Sequence, residues 1–374
     1  MTRNAASLLA VGDLILSEPE PDRFFELVTP TLQQANVIVG QVEVPYTRRP
    51  NPNRPEIIRD PSQLQAMAKA GFNVGTLAGN HIFDLGQEAL DETREALLQY
   101  GIAPVGAGRN LTEAREPAVL ERAGVRFGIL SYNCAGPKTS WASDVKGGAA
   151  YVEAFTIYQD LSYPTPGAPP IVRSACEHTS LEAMIDDIEA LRPKVDVLLV
   201  VFHKGIGHLP ARVADYERQV AHAAIRAGAD VVTGHHAHIL RGVEVYRGKP
   251  IYHGLGNFVA VTRALAIRPG MERDDWARQR REHFGFEPDP ETPHLPWHPE
   301  AKNTMIARLS WDEDLRMRAG LIPCLINKLG QPEPFGNDRQ GQQVLAYIEH
   351  ITEHGKLNAR YRWEGDQVEI ELDS

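Results

Sequence analysis

Short continuous apolar runs alternate along the chain with segments in which apolar residues recur every three or four positions. Six runs rich in valine, isoleucine and leucine are predicted as strands: residues 7–12, 37–42, 72–79, 126–132, 195–202 and 229–234. Runs of this length without polar alternation are typical of strands that are buried on both faces. The pattern therefore predicts an α/β protein.

Segments with helical spacing lie between these runs. Three of them are predicted as helices: residues 86–99, 179–191 and 211–227. Thr179 and Glu182 have the spacing of a capping box at the start of the second helix. Gly228 follows the third helix, where glycine commonly ends a helix because it adopts a left-handed conformation without strain.

Two long segments interrupt the alternation, at residues 134–178 and 262–300. The first is rich in glycine and proline, and the second in arginine, proline and histidine. Long irregular segments within a compact domain are usually functional loops or lids. Strand-like alternation returns at residues 304–311 and 367–372, so we expect one domain over residues 1–374 with insertions at the two irregular segments.

Composition and charge exclude several classes of protein. The chain is 43% hydrophobic and 24% charged, as in a soluble globular protein, and no run approaches the ~18 apolar residues that span a bilayer. Three cysteines without metal-type spacing favour the cytoplasm over a disulfide scaffold. A net charge of -10 argues against nucleic acid as a partner.

Side chains that can bind metal ions follow five of the predicted strands. They are Asp13, Glu43, Asn80 with His81, His203, and the cluster of His235, His236 and His238. Because the carboxyl ends of strands form the ligand crevice in open α/β sheets, these groups are expected to converge there. Carboxylate, amide and imidazole ligands without thiolate suit Mn²⁺, Fe²⁺ or Zn²⁺. One or two such ions would activate a water molecule for hydrolysis.

Several motifs make the chain similar to known proteins. Four features of the chain resemble the calcineurin-like metallophosphoesterase signature: "GD" at 12–13, "GNH" at 79–81, His203, and "GHHAH" at 234–238. "GADVVTGHHAHIL" (228–240) and "GKPIYHGLGNFV" (248–259) more closely resemble the CapA family, which is associated with poly-γ-glutamate capsule synthesis. The resemblance covers most of residues 7–310. It implies two packed mixed β-sheets flanked by helices.

The resemblance also implies roles for individual residues. The implied metal ligands are Asp13, Glu43, Asn80, His203, His236 and His238. His81 would protonate the leaving group, and Asp84 would either orient His81 or cap the following helix. The candidates for substrate binding, which the resemblance does not supply, are Lys204, where the family usually has an aromatic residue, and His208, His235 and His298. An ordinary loop role is the open alternative for His208 and His298.

Two departures from the family pattern bear on function. The phosphoesterase signature has a histidine two residues after its first aspartate, where this chain has Ile15, so one metal loses a ligand. CapA relatives often carry an N-terminal membrane anchor, whereas the start of this sequence, MTRNAASLLAVGD, is interpreted as the first core strand. The second departure argues against a direct role in capsule synthesis.

Two functions from different classes remain open. The leading hypothesis is a soluble, cytoplasmic hydrolase with one or two divalent transition metal ions (Mn, Fe or Zn), acting on a phosphoester or an amide such as a γ-glutamyl bond. The alternative is a non-catalytic accessory protein that binds an anionic polymer such as polyglutamate. The sequence does not decide between them, and it leaves the oligomeric state open, a homo-oligomer included.

An anionic small molecule or a γ-glutamyl chain is the expected substrate. Six arginines lie near the suspected crevice: Arg263, Arg268, Arg273, Arg278, Arg280 and Arg281. Guanidinium groups suit carboxylate or phosphate. A solvated helix face around residues 271–284 is the open alternative for this cluster.

Overall fold

The computed structural model describes residues 5–51, 57, 59–160, 169–263, 267 and 270–372. Arg268 lies outside them. The strands are β1 (Ala6–Leu16), β2 (Val37–Val42), β3 (Val74–Thr76), β4 (Ala103–Val105), β5 (Ala107–Gly108), β6 (Ala118–Arg122), β7 (Val125–Asn133), β8 (Gly148–Ala149), β9 (Ala154–Gln159), β10 (Ile171–Cys176), β11 (Val197–Lys204), β12 (Val231–His236), β13 (Leu240–Tyr246), β14 (Lys249–Leu255), β15 (Asn257–Val261), β16 (Asn303–Trp311), β17 (Met317–Ile326), β18 (Pro332–Pro334), β19 (Tyr361–Glu364) and β20 (Gln367–Ile370).

The helices connect these strands. They are α1 (Thr29–Leu32), α2 (Gln65–Ala70), α3 (Gly86–Gln99), α4 (Leu111–Ala114), α5 (His178–Leu191), α6 (Asp215–Ala227), α7 (Arg273–Phe284) and α8 (Arg339–His354). Short 3-10 turns lie at Pro21–Phe25, Pro61–Leu64, Lys138–Ser140, Arg192–Lys194 and Pro299–Lys302. Among the helices that the structure describes, none is both long and apolar enough to cross a bilayer.

Two large mixed sheets form the framework of the fold. In the first sheet the strand order is β19-β20-β17-β16-β1-β2-β3-β4, with β15 beside β1 and β18 beside β17. In the second sheet the order is β13-β14-β12-β11-β7-β6. The strands β1 to β4 run parallel, as do β7, β11, β12 and β14. Smaller ribbons pair β5 with β8 and β9 with β10.

The sheets pack face to face, and helices cover their outer faces. One apolar cluster joins the inner faces and includes Leu8 and Val39 from the first sheet and Phe127 and Leu199 from the second. Helices α2 and α3 contribute to the cluster on the outside of the first sheet, and α5 and α6 to the cluster on the outside of the second. The strands are therefore buried on both faces, as their unbroken apolar runs predict. The predicted fold class is confirmed.

Most predicted elements are confirmed, with two differences in detail. Strand β3 is shorter than predicted, because the chain turns after Thr76 toward Asn80. The predicted capping box of α5 is wrong, because Glu177 caps this helix. Its carboxylate accepts hydrogen bonds from the amides of Thr179 (2.8 Å) and Ser180 (2.7 Å). These hydrogen bonds lower the pKa of Glu177 to about 2.

The two irregular segments contain regular structure in their described parts. The first, residues 134–178, contributes β8 and the antiparallel ribbon of β9 and β10. The second, residues 262–300, contributes α7, whose first turn buries Trp276 and Ala277. The assignment of residues 1–374 to one domain with these insertions stays a prediction.

Candidate metal centre

Strand β1 changes its partner at Gly12, directly before Asp13. The first half of β1 pairs with β16, and the second half pairs with β15. A Cβ atom on Gly12 would lie 2.1 Å from the carbonyl oxygen of Gly256, so only glycine permits this approach. The register shifts on both sides of Asp13. Irregularities of this kind often redirect a side chain next to an active site.

Asp13, Glu43 and His238 form one half of a buried cluster. Nε2 of His238 lies 3.2 Å from Oε1 of Glu43, and its Nδ1 lies 3.6 Å from Oδ2 of Asp13. One ligand atom from each residue lies within 4.8 Å of the others. Both carboxylates are fully buried, and neither Glu43 oxygen accepts a well-aligned hydrogen bond from the described residues. Because buried charge without compensation is costly, this donor set fits a bound cation.

Asn80, His203 and His236 form the other half of the cluster. Nε2 of His203 lies 2.8 Å from Oδ1 of Asn80 and 3.1 Å from Nδ1 of His236. The backbone amide of His236 donates to Oδ2 of Asp13 at 3.3 Å, which joins the two halves. All six predicted metal ligands therefore converge, with Asp13 where β1 changes its partner and the other five at or directly beyond the carboxyl ends of their strands.

Three histidines around this cluster have strained backbones. His208, His236 and His238 have φ values of 59°, 83° and 55°. Residues other than glycine rarely adopt this conformation, and each instance costs on the order of 1–3 kcal/mol. Such strain is concentrated at functional sites, because the surrounding structure must hold it in place.

The environment favours metal-binding protonation states for most of the cluster. Burial, followed by the charge of His236, lowers the pKa of His203 well below its usual value. Burial and the charge of His238 lower the pKa of His236 to about 4. Both imidazoles are therefore neutral near pH 7, the form that binds metal ions. Burial opposes ionisation of Glu43, but the neighbouring charge of His238 still holds its pKa well below the usual range.

The pKa values of Asp13 and His238 are shifted by the charged groups that lie close together in the cluster. Burial and the nearby carboxylate of Glu43 raise the pKa of Asp13. Burial works against protonation of His238, yet the charge of Glu43 raises the pKa of this histidine to about 9. A proton on His238 thus partly balances the two carboxylates, which is the balance that a divalent cation would provide more fully.

His81 and Asp84 form an exposed pair beside Asn80. Nδ1 of His81 lies 2.8 Å from Oδ2 of Asp84. An ionised carboxylate only accepts hydrogen bonds, so we assign the proton to Nδ1, which leaves Nε2 available. Burial lowers the pKa of His81, but the hydrogen bond that it donates to Asp84 and the negative charges of Glu43 and Asp84 together outweigh burial, so the net pKa is raised. Helix α3 has no side-chain cap, so Asp84 contacts His81 rather than capping that helix.

The three histidines that are candidates for substrate binding lie in different surroundings. His208 is buried beside the cluster, with its ring 5.8 Å from that of His238 and 4.6 Å from that of Phe286. Burial lowers its pKa to about 3, so it forms part of a neutral aromatic wall. His235 is buried with Nδ1 3.4 Å from Oδ1 of Asp13. Nδ1 of His298 accepts a hydrogen bond from the amide of Glu300 at 3.1 Å and caps a turn.

Lys204 does not reach the crevice, and its predicted contact with substrate is wrong. The side chain is fully buried, and its Nζ lies 3.3 Å from Oε2 of Glu217 and 3.2 Å from Nδ1 of His253. Neighbouring residues on a strand point to opposite faces of the sheet. Because His203 points toward the metal ligands, Lys204 points toward α6. A carboxylate on this outer side, that of Glu244, links His253 to His222 at 2.8 Å each.

We expect the Lys204→Met variant to be less stable by about 3 kcal/mol, at the lower end of the usual cost of breaking a buried ion pair. The loss of stability is limited because Arg241, whose Nη1 lies 4.0 Å from Oε1 of Glu217, still partly compensates the buried carboxylate. Urea unfolding of the full chain measures it. Lys249→Met is the control, because Lys249 forms a partly exposed pair with Asp230 whose loss costs no more than about 1 kcal/mol. Equal stability of both variants would contradict the structural role of Lys204.

Two residues beside the cluster were missed by the sequence reasoning. Oδ1 of Asn257 lies 2.9 Å from Nδ1 of His238, and the ring of Trp297 stacks on His238 with 4.4 Å between centroids. Asn257 pairs with Asp13 across β15 and β1 and lies in the "GLGNFV" motif. Its position at a strand start was the available signal. Trp297 begins the segment WHPEAKNTMIA (297–307), whose resemblance to the CapA family was the available signal.

The described arginines near α7 are largely paired with acidic residues. Arg263 contacts Glu18 at 2.8 Å, Arg278 contacts Asp275 at 2.7 Å, and Arg281 contacts Glu287 at 2.5 Å. The last two pairs lie on exposed side chains of α7 or directly after it. These contacts favour the solvated helix face over an arginine cluster directed at substrate.

The fold and this cluster define a class of protein, an α/β sandwich with a candidate metal centre at the carboxyl ends of its strands. Residues 7–262 match the model of the family described as "Bacterial capsule synthesis protein PGA_cap". The chain belongs to this family, and the predicted relationship to CapA proteins is confirmed.

Two relatives and one solved structure are similar to this chain. The chain is 27% identical to the PGA biosynthesis protein CapA of Bacillus subtilis over 67% of its own length and 62% of that protein. It is 32% identical to a probable polyglutamine synthesis accessory protein of Mycobacterium tuberculosis over 53% of its own length and 48% of that protein. The matches thus span less than two thirds of either relative.

The solved structure is a calcineurin-like phosphoesterase from Bacillus subtilis. Its alignment with this chain has a TM-score of 0.40 and 14% sequence identity, and it covers 94% of this chain and 98% of the phosphoesterase chain.

Proposed function

We propose that this chain is a metal-dependent hydrolase of poly-γ-glutamate metabolism that cleaves a γ-glutamyl amide or a phosphoester bond. The observation that carries the proposal is the buried cluster of two carboxylates, one amide and three imidazoles beside the exposed pair of His81 and Asp84. The description of the matched family and the name of the Bacillus subtilis relative, both of which contain PGA, suggest the polymer.

The cluster offers donors for one or two divalent ions. Asp13, Glu43 and His238 would hold one ion, and the trio of Asn80, His203 and His236 would hold another. When bound, Mn²⁺, Fe²⁺ or Zn²⁺ would act as a Lewis acid and lower the pKa of a water molecule. The same chemistry serves amide and phosphoester substrates.

The side chains around the cluster have distinct tasks in this proposal. In its doubly protonated form, His81 donates a proton from Nε2 to the leaving nitrogen or oxygen, and Asp84 fixes the ring by accepting a hydrogen bond from Nδ1. Trp297 and His208 cover His238 with aromatic rings and exclude water from that side. Asn257 orients the His238 ring from behind, as partners of metal-bound histidines commonly do.

The second candidate is a non-catalytic accessory protein that binds polyglutamate. Two observations favour it. Ile15, which replaces a histidine of the phosphoesterase signature, is buried in the apolar core and supplies no ligand. The mycobacterial relative carries the word accessory in its name.

A substrate screen separates the two candidates. The full chain is supplied with Mn²⁺, Fe²⁺ or Zn²⁺ and tested on phosphomonoesters, phosphodiesters and γ-glutamyl amides. We expect turnover of at least one class that requires added metal and that a chelator removes. A folded, metal-loaded chain that binds polyglutamate but turns over none of these substrates would favour the accessory role instead.

The proposed compartment is the cytoplasm. Its support is that Cys134, Cys176 and Cys324 are free thiols, all of them buried. Structural disulfides are typical of oxidising compartments, and free cysteines are typical of reducing ones.

A further inference from the structure

A cavity of about 700 Å³ opens beside the His81–Asp84 pair. Its lining includes Phe83 and Asp84 from the turn after β3, and Lys138, Thr139 and Lys146 from the segment between β7 and β8. The volume is in the range of pockets for small ligands. Because Asp84 contacts the His81 ring, a molecule in this cavity lies next to the proposed proton donor.

Lys146 gives the cavity a positive charge that the described residues do not neutralise. Its Nζ donates to the carbonyl oxygen of Thr139 at 2.7 Å and lies 4.7 Å from the centroid of the Phe83 ring. No ion pair of Lys146 is found in the described part of the chain. Two of the three ammonium donors thus remain for a ligand.

Lys138, the other lysine of the cavity, is already compensated. Its ammonium group pairs with the carboxylate of Glu153 and lies over the Trp141 ring. Asp84 brings a negative charge to the cavity, but its Oδ2 already accepts the His81 hydrogen bond. Lys146 is therefore the group that would recognise an anion here.

The backbone around Lys146 is fixed against the start of α3. A Cβ atom on Gly147 would lie 1.9 Å from Oε1 of Gln87 in the first turn of that helix. The carbonyl oxygen of Lys146 also accepts a hydrogen bond from the amide of Ser143 at 2.8 Å. These contacts fix the backbone, and the hydrogen bond to the carbonyl oxygen of Thr139 positions the ammonium group before ligand binds, which reduces the entropic cost of binding.

We propose that this cavity is the subsite for a substrate carboxylate and that Lys146 determines specificity for it. The inference rests on the proposed function and specifies its substrate class as γ-glutamyl amides. In a γ-linked glutamate chain, the nitrogen of each amide is bonded to a carbon that carries a free α-carboxylate. When water adds to the γ-carbonyl carbon and the C–N bond breaks, that nitrogen takes the proton from His81, and its neighbouring carboxylate lies against Lys146.

The first test compares two substrates on the metal-loaded full chain. One is γ-glutamyl-glutamate, and the other has a neutral amide in place of the α-carboxylate on the leaving unit. We expect kcat/KM to be about 10–100-fold higher for the carboxylate, the usual worth of a hydrogen bond to a charged group. The Lys146→Met variant should lose this preference, mainly through KM, and Lys146→Arg should keep part of it. Lys194→Met, at an exposed lysine elsewhere, should keep all of it.

The second test measures binding, so that a failure of the hydrolase proposal is distinguishable. Calorimetry with tri-γ-glutamate should show about 10–100-fold weaker binding to Lys146→Met than to the unmodified chain or to Lys194→Met. Such Lys146-dependent binding without turnover would contradict the hydrolase and support the subsite. Equal binding by all variants, no binding at all, or a substrate preference that survives in Lys146→Met would overturn the subsite.

Discussion

The His81→Gln variant is expected to turn over substrate about 10²–10⁴-fold more slowly than the unmodified chain while keeping its metal and its fold. Glutamine preserves much of the shape of the side chain but cannot donate a proton as an acid at neutral pH. The ring is half-exposed and bonded only to Asp84 among the hydrogen bonds described, so its replacement disturbs no core packing. Steady-state kinetics on the substrate found by the screen measure the loss.

The leaving group provides the internal control for this prediction. A nitrophenolate leaves without protonation, so His81→Gln should affect a nitrophenyl substrate far less than an alkyl ester or an amide. Asp84→Asn should produce a smaller loss, because it weakens the hold on Nδ1 but retains the imidazole. If His81→Gln is as active as the unmodified chain on a substrate with a poor leaving group, His81 has no part in proton transfer.

Replacement of His203 or His236 by alanine is expected to weaken metal binding more strongly than replacement of any neighbouring residue outside the six proposed ligands. Each substitution removes a donor atom from the trio in which Nε2 of His203 contacts both Asn80 and His236. Loss of an outer-shell partner typically lowers metal affinity by about 10–100-fold, and loss of a ligand should exceed that. Metal analysis after gel filtration measures the bound ion, and circular dichroism establishes that the variants fold.

Two further variants provide a graded comparison for the predicted loss of metal binding in His203→Ala and His236→Ala. Asn257→Ala removes the contact behind His238 and should fall in the range of about 10–100-fold for an outer-shell partner. His350→Ala, at an exposed histidine of α8, should leave metal binding unchanged. Unaltered metal content in both His203→Ala and His236→Ala would show that these histidines are not ligands.

The sequence predicted the framework of the fold because its strands bury both faces. Unbroken apolar runs located β2 and β11, and helical spacing located α3 at residues 86–99. The same logic located the candidate site, because polar residues directly after such runs must lie at the carboxyl edge of a sheet. The convergence of Asp13 with His236, which are 223 residues apart, follows from that rule.

What the sequence could not predict depends on which way a side chain points and what approaches it from elsewhere. Lys204 adjoins His203 but faces α6, since the pleat turns neighbouring residues to opposite sides. Glu177 caps α5 because this helix begins two residues earlier than the motif suggested. Lys146 resembled any loop lysine until the fold placed it in one cavity with Asp84.

The central claim is that the buried cluster binds a divalent transition metal, and calorimetric titration of the metal-stripped full chain tests it most directly. Addition of Mn²⁺ or Zn²⁺ is predicted to give saturable binding at about one or two ions per chain, and the His236→Ala variant should lose part or all of it. A folded, unmodified chain that binds neither ion would contradict the account.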